Sequence, residues 1–330
     1  MPERTPIGLI VDDSCPLVHV YRCHWMDVHH EPPLTKDGRP MLETIPNVFL
    51  DRFCDVVEEH GIKGKFSIVP APGGQGDVVR GIAGHDPALT REWLDTAKRR
   101  LTPLFDFCSE GITHNLAVNL ADGGCFEQSE NDWSQTQTRE TLTPYLIRQL
   151  ELLRDAGVDA TGVTSPWVFG IKVEPEYIAA IAAAQRAVYG RCFSWYFLHM
   201  IYDRQDLRPW MALADDEHTL ISIPGTVKDF WWQTIDCPRT DADYVNGIAD
   251  EILTKDGRGG KVREVLDAGG WPVLVTHWQS LFSNGTEAGL AVLDEVGRRV
   301  SGSLRDEVEW ITCMEMARQT AAAPAESRRP

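Results

Sequence analysis

The sequence predicts an α/β protein in which about seven or eight parallel strands form a (β/α) barrel. Short β-rich runs alternate with longer helix-like stretches along most of the 330 residues. This alternation is typical of parallel sheets, since a helix usually makes the crossover between parallel strands. The number of units favours a barrel over a doubly wound open sheet, which is the alternative. The candidate strands are Ile7–Val11, Lys65–Val69, Phe105–Ile112, Ala160–Thr164, Arg191–Phe197, Thr219–Ile223, Pro272–Thr276 and Val308–Thr312.

The segments between these strands carry apolar residues at helical spacing. In the stretch 138–156, Leu142, Leu146 and Leu150 fall on one face, and Gly157 follows as a C-cap. The candidate helices are Pro46–His60, Thr138–Ala156, Glu174–Ala187, Asp241–Leu253, Gly260–Ala268 and Glu287–Val300.

A single domain is expected over residues 1–318, because no stretch in this range has the composition of an interdomain linker. Two long stretches, 19–44 and 121–137, lack a regular pattern and are expected to be inserts. Irregular loops of this length are uncommon in compact domains unless they serve a site. The low-complexity tail, residues 319–330, is expected to be disordered.

Composition and charge narrow the classes of partner. The formal net charge of −17 argues against nucleic acid, because binding through counterion release needs a basic face. No apolar run approaches the ~18 residues that span a bilayer, and the N-terminus does not resemble a signal peptide. A cytoplasmic protein with eight reduced cysteines is therefore expected. The sequence leaves open whether the chain forms a homo-oligomer.

Polar and aromatic residues that follow the apolar runs are the candidates for chemistry. In a parallel barrel, the loops after the carboxyl ends of the strands form the active face. Singly, each residue has an ordinary explanation as a turn, a cap or core packing, but together they indicate a site. They are Asp12 and Asp13 after the first strand, Glu110 and His114 around the end of the third, Trp167 after the fourth, Asp229, Trp231 and Trp232 after the sixth, and His277 and Trp278 after the seventh.

The order of these residues resembles the polysaccharide deacetylase (NodB-homology) superfamily, whose members fold as an irregular (β/α) barrel. The run IVDDSCP matches the family's strand ending in Asp-Asp, and VLVTHW matches its strand ending in His. The resemblance implies that Asp12 is a general base, Asp13 a metal ligand and His277 a general acid. Asp229 and Trp231 loosely match the family's Asp and Trp pair, which makes Asp229 a further catalytic candidate.

Two of the family's motifs are incomplete in this sequence. The run EGITHNLAVN supplies His114 as a metal ligand but has Val118 where a second histidine is expected, so Asn119 is the substitute ligand. The run TSPW has Thr164 where the family carries an arginine. The chain is therefore interpreted as a divergent relative.

The resemblance implies a divalent metal, with zinc the expected ion, held by Asp13, His114 and Asn119. A cation would also explain why two adjacent carboxylates end a buried strand, because its charge stabilises both in the ionised form. The expected reaction is hydrolysis of a C–N or ester bond in a carbohydrate or small amide, with Asp12 as base and His277 as acid. Further candidates for the third ligand are the histidines of the first insert, His19, His24, His29 and His30.

Two other interpretations stay open. Asp12 or Asp13, paired with Glu110 or Asp229, could cleave a glycosidic bond without a metal. Alternatively, the chain is an inactive carbohydrate-binding protein. In each case indole rings would stack on sugar rings. The expected substrate-binding residues are Glu110, Trp167, Trp231, Trp232 and Trp278.

Overall fold

The computed structural model describes residues 4–31 and 33–324, with the side chains of residues 27–29 left out of the description. Each of the eight predicted strands is present, and further strands lie in the connections between them. The strands are β1 (Thr5–Asp12), β2 (Leu17–Val18), β3 (Thr44–Ile45), β4 (Gly64–Ile68), β5 (Gly76–Asp77), β6 (Gly81–Ile82), β7 (Phe105–Glu110), β8 (Leu116–Val118), β9 (Cys125–Ser129), β10 (Ala160–Thr164), β11 (Phe193–Phe197), β12 (Trp210–Ala214), β13 (Thr219–Ser222), β14 (Val273–His277) and β15 (Val308–Trp310).

The six predicted helices are also present, within a few residues of their predicted ends. No helix in the described part of the chain is long and apolar enough to cross a membrane. The helices are α1 (Val20–His29), α2 (Asn47–His60), α3 (Pro87–Leu101), α4 (Glu130–Ser134), α5 (Arg139–Asp155), α6 (Glu174–Tyr189), α7 (Ala242–Ile252), α8 (Lys261–Asp267), α9 (Trp278–Phe282), α10 (Ala288–Ser303) and α11 (Cys313–Ala322).

A curled, mostly parallel sheet organises the molecule. Its strands lie in the order β12-β13-β11-β10-β7-β4-β1-β14, and β15 pairs with the first residues of β1. Neighbouring strands are parallel except β12, which runs antiparallel to β13. The α/β class with a mostly parallel sheet is therefore confirmed.

The sheet forms a half-barrel, and the predicted closed barrel is not seen. Among the described residues no strand ladder joins β12 to β14. The chain after β13 meets β14 at one isolated parallel bridge, between Val227 and Leu274. Because β12 turns back antiparallel, its outer edge does not continue the parallel ladder that would close a barrel.

Alternate residues of the strands face two separate apolar layers, as the period of a strand requires. Leu9 and Val11 of β1 belong to the large cluster that includes residues of α2, α5, α6 and α10. Ile10 belongs to a second cluster, which contains Trp195 of β11 and Met316 of α11. The helix α11 thus covers the second face of the curled sheet.

Three predictions about the connections need correction. The first insert contains α1, and the second contains β9 and α4, so neither is irregular throughout. The tail was predicted to begin at residue 319, but α11 continues to Ala322 because its apolar residues pack on the sheet. Residues 325–330 of that tail lie outside the described residues.

Candidate active site and metal centre

The predicted functional residues gather where several parallel strands end. The register pairs Asp12 at the end of β1 with His277 at the end of β14, and Glu110 at the end of β7 with Thr164 at the end of β10. A cavity of about 330 Å³ opens at this edge of the sheet. The predicted site residues that line it are Asp12, Asp13, Glu110, His114, Trp167, Trp232 and His277.

A compact group of metal-ligating side chains lies at the floor of this cavity. Asp13, Glu110 and His114 each offer one ligand atom, and these atoms lie within 4.8 Å of one another. His114 Nε2 is 2.9 Å from Asp13 Oδ1 and 3.6 Å from Glu110 Oε1. All three residues are buried. Such a group could hold a metal ion.

One carboxylate oxygen of this group lacks a hydrogen bond. Asp13 Oδ1 is buried and has His114 Nε2 2.9 Å away, but no described residue donates an aligned hydrogen bond to it. The other oxygen of Asp13 accepts a hydrogen bond from Gln279 Nε2. Glu110 Oε2 accepts from Ser67 Oγ and, at 2.7 Å, from the backbone N–H of Asp13. A buried anionic oxygen without a donor is costly, so its presence points to a missing ligand.

Glu110 was predicted to bind substrate; it lines the cavity and also belongs to the metal-ligating group. Asn119 was predicted to be a ligand, and it is not part of the group. Its side chain instead binds Ala121 N at 3.0 Å and Asp122 Oδ2 at 3.2 Å, within the turn between β8 and β9. The chain turns into this hairpin directly after His114, which carries Asn119 away from the cavity.

The histidines of the first insert do not join the metal-ligating group either. His19 caps α1, where its Nδ1 accepts the N–H of Arg22, and His30 is the C-cap of the same helix. His24 lines the cavity but packs against the ring of Trp167, 4.4 Å between centroids. The side chain of His29 lies outside the described residues.

The backbone is left-handed at three residues of the site. Asp13 has φ 63°, His114 has φ 53° and Trp167 has φ 50°. This conformation is uncommon for residues other than glycine and is an outlier for a bulky residue such as tryptophan. Residues held in this way cluster at functional sites, where the surrounding contacts maintain them.

Glu130 of α4 holds the loop that carries His114. Its buried carboxylate accepts the three consecutive backbone N–H groups of residues 112–114 and the hydroxyl of Tyr145, at 2.6 to 3.1 Å. Gly111 must be glycine here, because it has φ 58° and a Cβ would lie 2.3 Å from Glu130 Oε2. No motif in the sequence singles out Glu130, which is notable there only for its place in the second insert.

Asp12 is paired with a buried lysine that sequence reasoning missed. Lys65 of β4 is fully buried, and its Nζ donates to Asp12 Oδ1 and, at 2.6 Å, to Thr164 Oγ1. Thr164 stands where the family resemblance expects an arginine. The available signal was the lysine itself, the one charged residue in a strand that is fully buried.

Burial and the neighbouring charge of Glu110 raise the pKa of Asp12 to about 7, in spite of the opposing charge of Lys65. The pKa of Lys65 is itself raised: burial opposes its charge, but the charge and hydrogen bond of Asp12 together with the charges of other neighbours, Glu110 among them, outweigh burial.

His277 and Asp229 form a second hydrogen-bonded pair at the cavity. His277 Nδ1 lies 2.7 Å from Asp229 Oδ2, and Ser280 Oγ donates to the same oxygen at 3.0 Å. Burial lowers the pKa of His277, but the hydrogen bond to Asp229 and the nearby carboxylates outweigh this effect and raise it to about 9. Asp229 is not among the residues that line the cavity, and it contacts His277 from behind the cavity wall.

Two of the predicted substrate-binding tryptophans belong to the core. Trp231 and Trp278 are fully buried, and Trp278 packs on the rings of Phe49 and Phe53. His277 and Trp278 are consecutive residues. The side chain of His277 faces the cavity, and that of Trp278 points into the core. The assignment of Trp231 and Trp278 to substrate binding is therefore wrong.

Two comparisons with known proteins found no match to this chain. No model of a known protein family matches the chain. A search of curated proteins finds no match either. The resemblance to the polysaccharide deacetylase superfamily therefore stays a prediction.

Proposed function

We propose that the protein is a metal-dependent hydrolase that cleaves a C–N or ester bond in a carbohydrate or small amide. We also propose that it is a divergent barrel-like relative of the polysaccharide deacetylases. The observation that carries the proposal is the convergence of Asp13, Glu110 and His114, in which the buried Asp13 Oδ1 accepts no aligned hydrogen bond from a described residue. Asp12 and His277 line the same cavity, so a base and an acid stand beside the proposed metal.

The donor set fits a divalent cation. Two carboxylates and one imidazole are ligands that zinc accepts, with a further position free for water or substrate. Held by Asp13, Glu110 and His114, the cation would polarise the scissile carbonyl and lower the pKa of water.

The same three side chains would form an ion-pair network if His114 were protonated. Burial opposes protonation of His114, but the charges of Asp13 and Glu110 raise its pKa well above the usual value. His114 would have to release this proton to bind a cation. His114 Nε2 lies 2.9 Å from Asp13 Oδ1 but is not aligned for a hydrogen bond, an arrangement that suits two ligands of one cation better than an ion pair.

Asp12 is the proposed general base. A pKa near 7 suits a base that works near neutral pH, because the group is both ionised and able to take a proton. Lys65 and its hydrogen bond fix one oxygen of this carboxylate. The proton of the attacking water would pass to the carboxylate of Asp12.

His277 is the proposed general acid. With a pKa of about 9 it carries a proton at neutral pH, which it can give to the leaving nitrogen or oxygen. Asp229 orients the ring by accepting the hydrogen bond of Nδ1, which leaves Nε2 for the transfer.

Glycoside cleavage without a metal receives less support. That chemistry needs two carboxyl groups on opposite sides of the scissile bond. Asp229 does not line the cavity, and Glu110 lies against His114. Asp12 and Asp13 remain, and both line the cavity, but Asp13 belongs to the metal-ligating group.

The proposed function is tested by a substrate panel measured with and without zinc. N-acetylated sugars, acetyl esters, small amides and aryl glycosides are offered to the wild type, to Asp12→Asn and to His277→Gln. We expect zinc-dependent release of an acyl group, and a fall in kcat of about 10² to 10⁴-fold in each variant. Glycoside cleavage that does not depend on zinc would contradict the proposal.

A further inference from the structure

The first insert crosses the mouth of the cavity and is fixed on both sides. At its start, α1 lies against the turn Pro72–Gly74, where a Cβ on Gly73 would come within 2.9 Å of Cys23 Cβ. Further along, Arg39 Nη2 donates to the carbonyl oxygen of Ile235 at 2.9 Å. The backbone N–H of Lys36 donates to Asp236 Oδ1 at 2.8 Å.

Between these anchors, side chains of α1 touch both walls of the cavity. The ring of Tyr21 lies 5.1 Å from that of Trp232, whose own ring is 5.1 Å from His277. The ring of His24 lies 4.4 Å from that of Trp167. The insert therefore roofs part of the cavity, and we expect it to hinder a long polymer from lying across the opening.

The charged residues that line the cavity also restrict which ligands can bind. Asp12, Asp13 and Glu110 line it, and none of the described lining residues is an arginine or a lysine. Lys65 is fully buried behind Asp12 and faces no part of a ligand. Apart from His277, the proposed general acid, a phosphate or carboxylate on the ligand would meet no cationic side chain among the described lining residues.

Size and wall chemistry define the molecule that fits. A volume of about 330 Å³ is at the lower end of the range for small-molecule sites. The indole rings of Trp167 and Trp232 offer apolar faces to a ring-shaped group.

We propose that the substrate is a compact, uncharged ring compound that enters the roofed cavity whole, and that polymers and anionic derivatives are excluded. This inference rests on the proposed function, since it names the molecule whose amide or ester bond would be cleaved. The roof and the carboxylate lining are the two features of this chain that set the restriction.

Matched metal-binding probes test the restriction without knowledge of the natural substrate. The full-length, zinc-loaded protein is titrated by calorimetry with benzohydroxamate, with 4-carboxybenzohydroxamate, and with a benzohydroxamate that carries a polyethylene glycol chain at the same ring position. We expect benzohydroxamate to bind and each of the other two to bind at least about tenfold more weakly.

A variant in which the insert is no longer held over the cavity separates the effect of the insert from the effect of charge. Arg39→Ala/Asp236→Ala/Asn284→Ala removes the hydrogen bonds that hold residues 36–42 on the far side and changes no residue that lines the cavity. In this variant we expect the polymer-linked probe to bind within about threefold of benzohydroxamate, while the carboxylate probe stays weak. Zinc content and the unfolding transition, measured in parallel, report whether the variant is folded.

The outcomes separate this inference from the proposed function. A wild type that holds zinc but binds the polymer-linked or the carboxylate probe as tightly as benzohydroxamate overturns the inference and leaves the hydrolase standing. A zinc-loaded protein that binds none of the probes also overturns it. A chain that holds no zinc overturns the proposed function, and the inference fails with it.

Discussion

At the residue scale, three buried carboxylates of one site are stabilised in three different ways. Asp12 has a buried lysine, Lys65, as its partner. Glu110 accepts hydrogen bonds from Ser67 and from the backbone of Asp13. Asp13 accepts from Gln279 on one oxygen, and its other oxygen has His114 Nε2 2.9 Å away but no aligned hydrogen bond from a described residue. We therefore expect a cation, if one binds, to contact Asp13 Oδ1.

The pairing of Lys65 with Asp12 predicts a strong coupling between the two residues. Lys65→Met leaves Asp12 buried without its partner and should lower the free energy of unfolding by about 3–5 kcal/mol. The double variant Lys65→Met/Asp12→Asn should recover most of this loss, because it removes the charge that was left unpaired. Urea unfolding of the four proteins of this double-mutant cycle measures the coupling. Losses that simply add would contradict the pairing.

Some site residues could be predicted from the sequence because of their position after a strand, and others could not because only the folded structure brings their partners to them. Asp12, Asp13, His114 and His277 were predictable because each follows an apolar strand, and parallel strands end at one edge. Glu130 was not, because its partners are backbone groups brought to it by folding. Asn119 was chosen by spacing from His114, and spacing fails where the chain turns back into a hairpin.

At the element scale, the short helix α4 and the loop before β8 act as one unit. The carboxylate of Glu130 satisfies three backbone N–H groups of that loop, including the N–H of His114 in its left-handed conformation. The second insert therefore fixes the loop that carries His114, a predicted metal ligand. None of its own described residues belongs to the metal-ligating group.

Replacing Glu130 tests this support. Glu130→Gln should lower the free energy of unfolding by about 1–3 kcal/mol, because an amide places a donor where acceptors are needed. It should also weaken zinc binding by about 10 to 100-fold, as loss of an outer-shell partner does. Glu127→Gln, an exposed neighbour in β9, is the matched control. Equal zinc affinity in Glu130→Gln and the control would contradict the supporting role.

The helices that sequence reasoning missed have weak local signals. In α3 the apolar face of Trp93, Leu94 and Ala97 is interspersed with charged residues, although Asp86 caps the helix and Pro87 begins it. The segment α11 ends in a run of alanines that reads as a low-complexity tail. Its helix is selected by packing against the sheet, which composition alone does not reveal.

The packing of α11 can be tested by truncating one side chain. Met316→Ala should lower the free energy of unfolding by about 2–5 kcal/mol, since Met316 is fully buried against the sheet. Gln319→Ala, on the exposed side of the same helix, should change it by less than about 0.5 kcal/mol. Equal unfolding midpoints for the two variants in urea would indicate that the helix does not cover the sheet.

At the scale of the whole molecule, the sequence predicted the strands and their parallel order better than their closure. Strand–helix alternation fixes the parallel arrangement, because crossovers of one hand place helices on the sheet. Closure depends on how the last strands meet, and β12 turns antiparallel there. The half-barrel still brings Asp12 and His277 into register, so the candidate site does not need a closed barrel.

The central claim is that Asp13, Glu110 and His114 form a metal centre, and zinc content after dialysis tests it most directly. Elemental analysis should find about one zinc per chain in the wild type, in Asn119→Ala and in Asp12→Asn, and almost none in Asp13→Ala. Asn119→Ala controls for the ligand that spacing suggested, and Asp12→Asn controls for loss of a neighbouring charge. Equal zinc in the wild type and Asp13→Ala, or a wild type that takes up no divalent ion, would contradict the account.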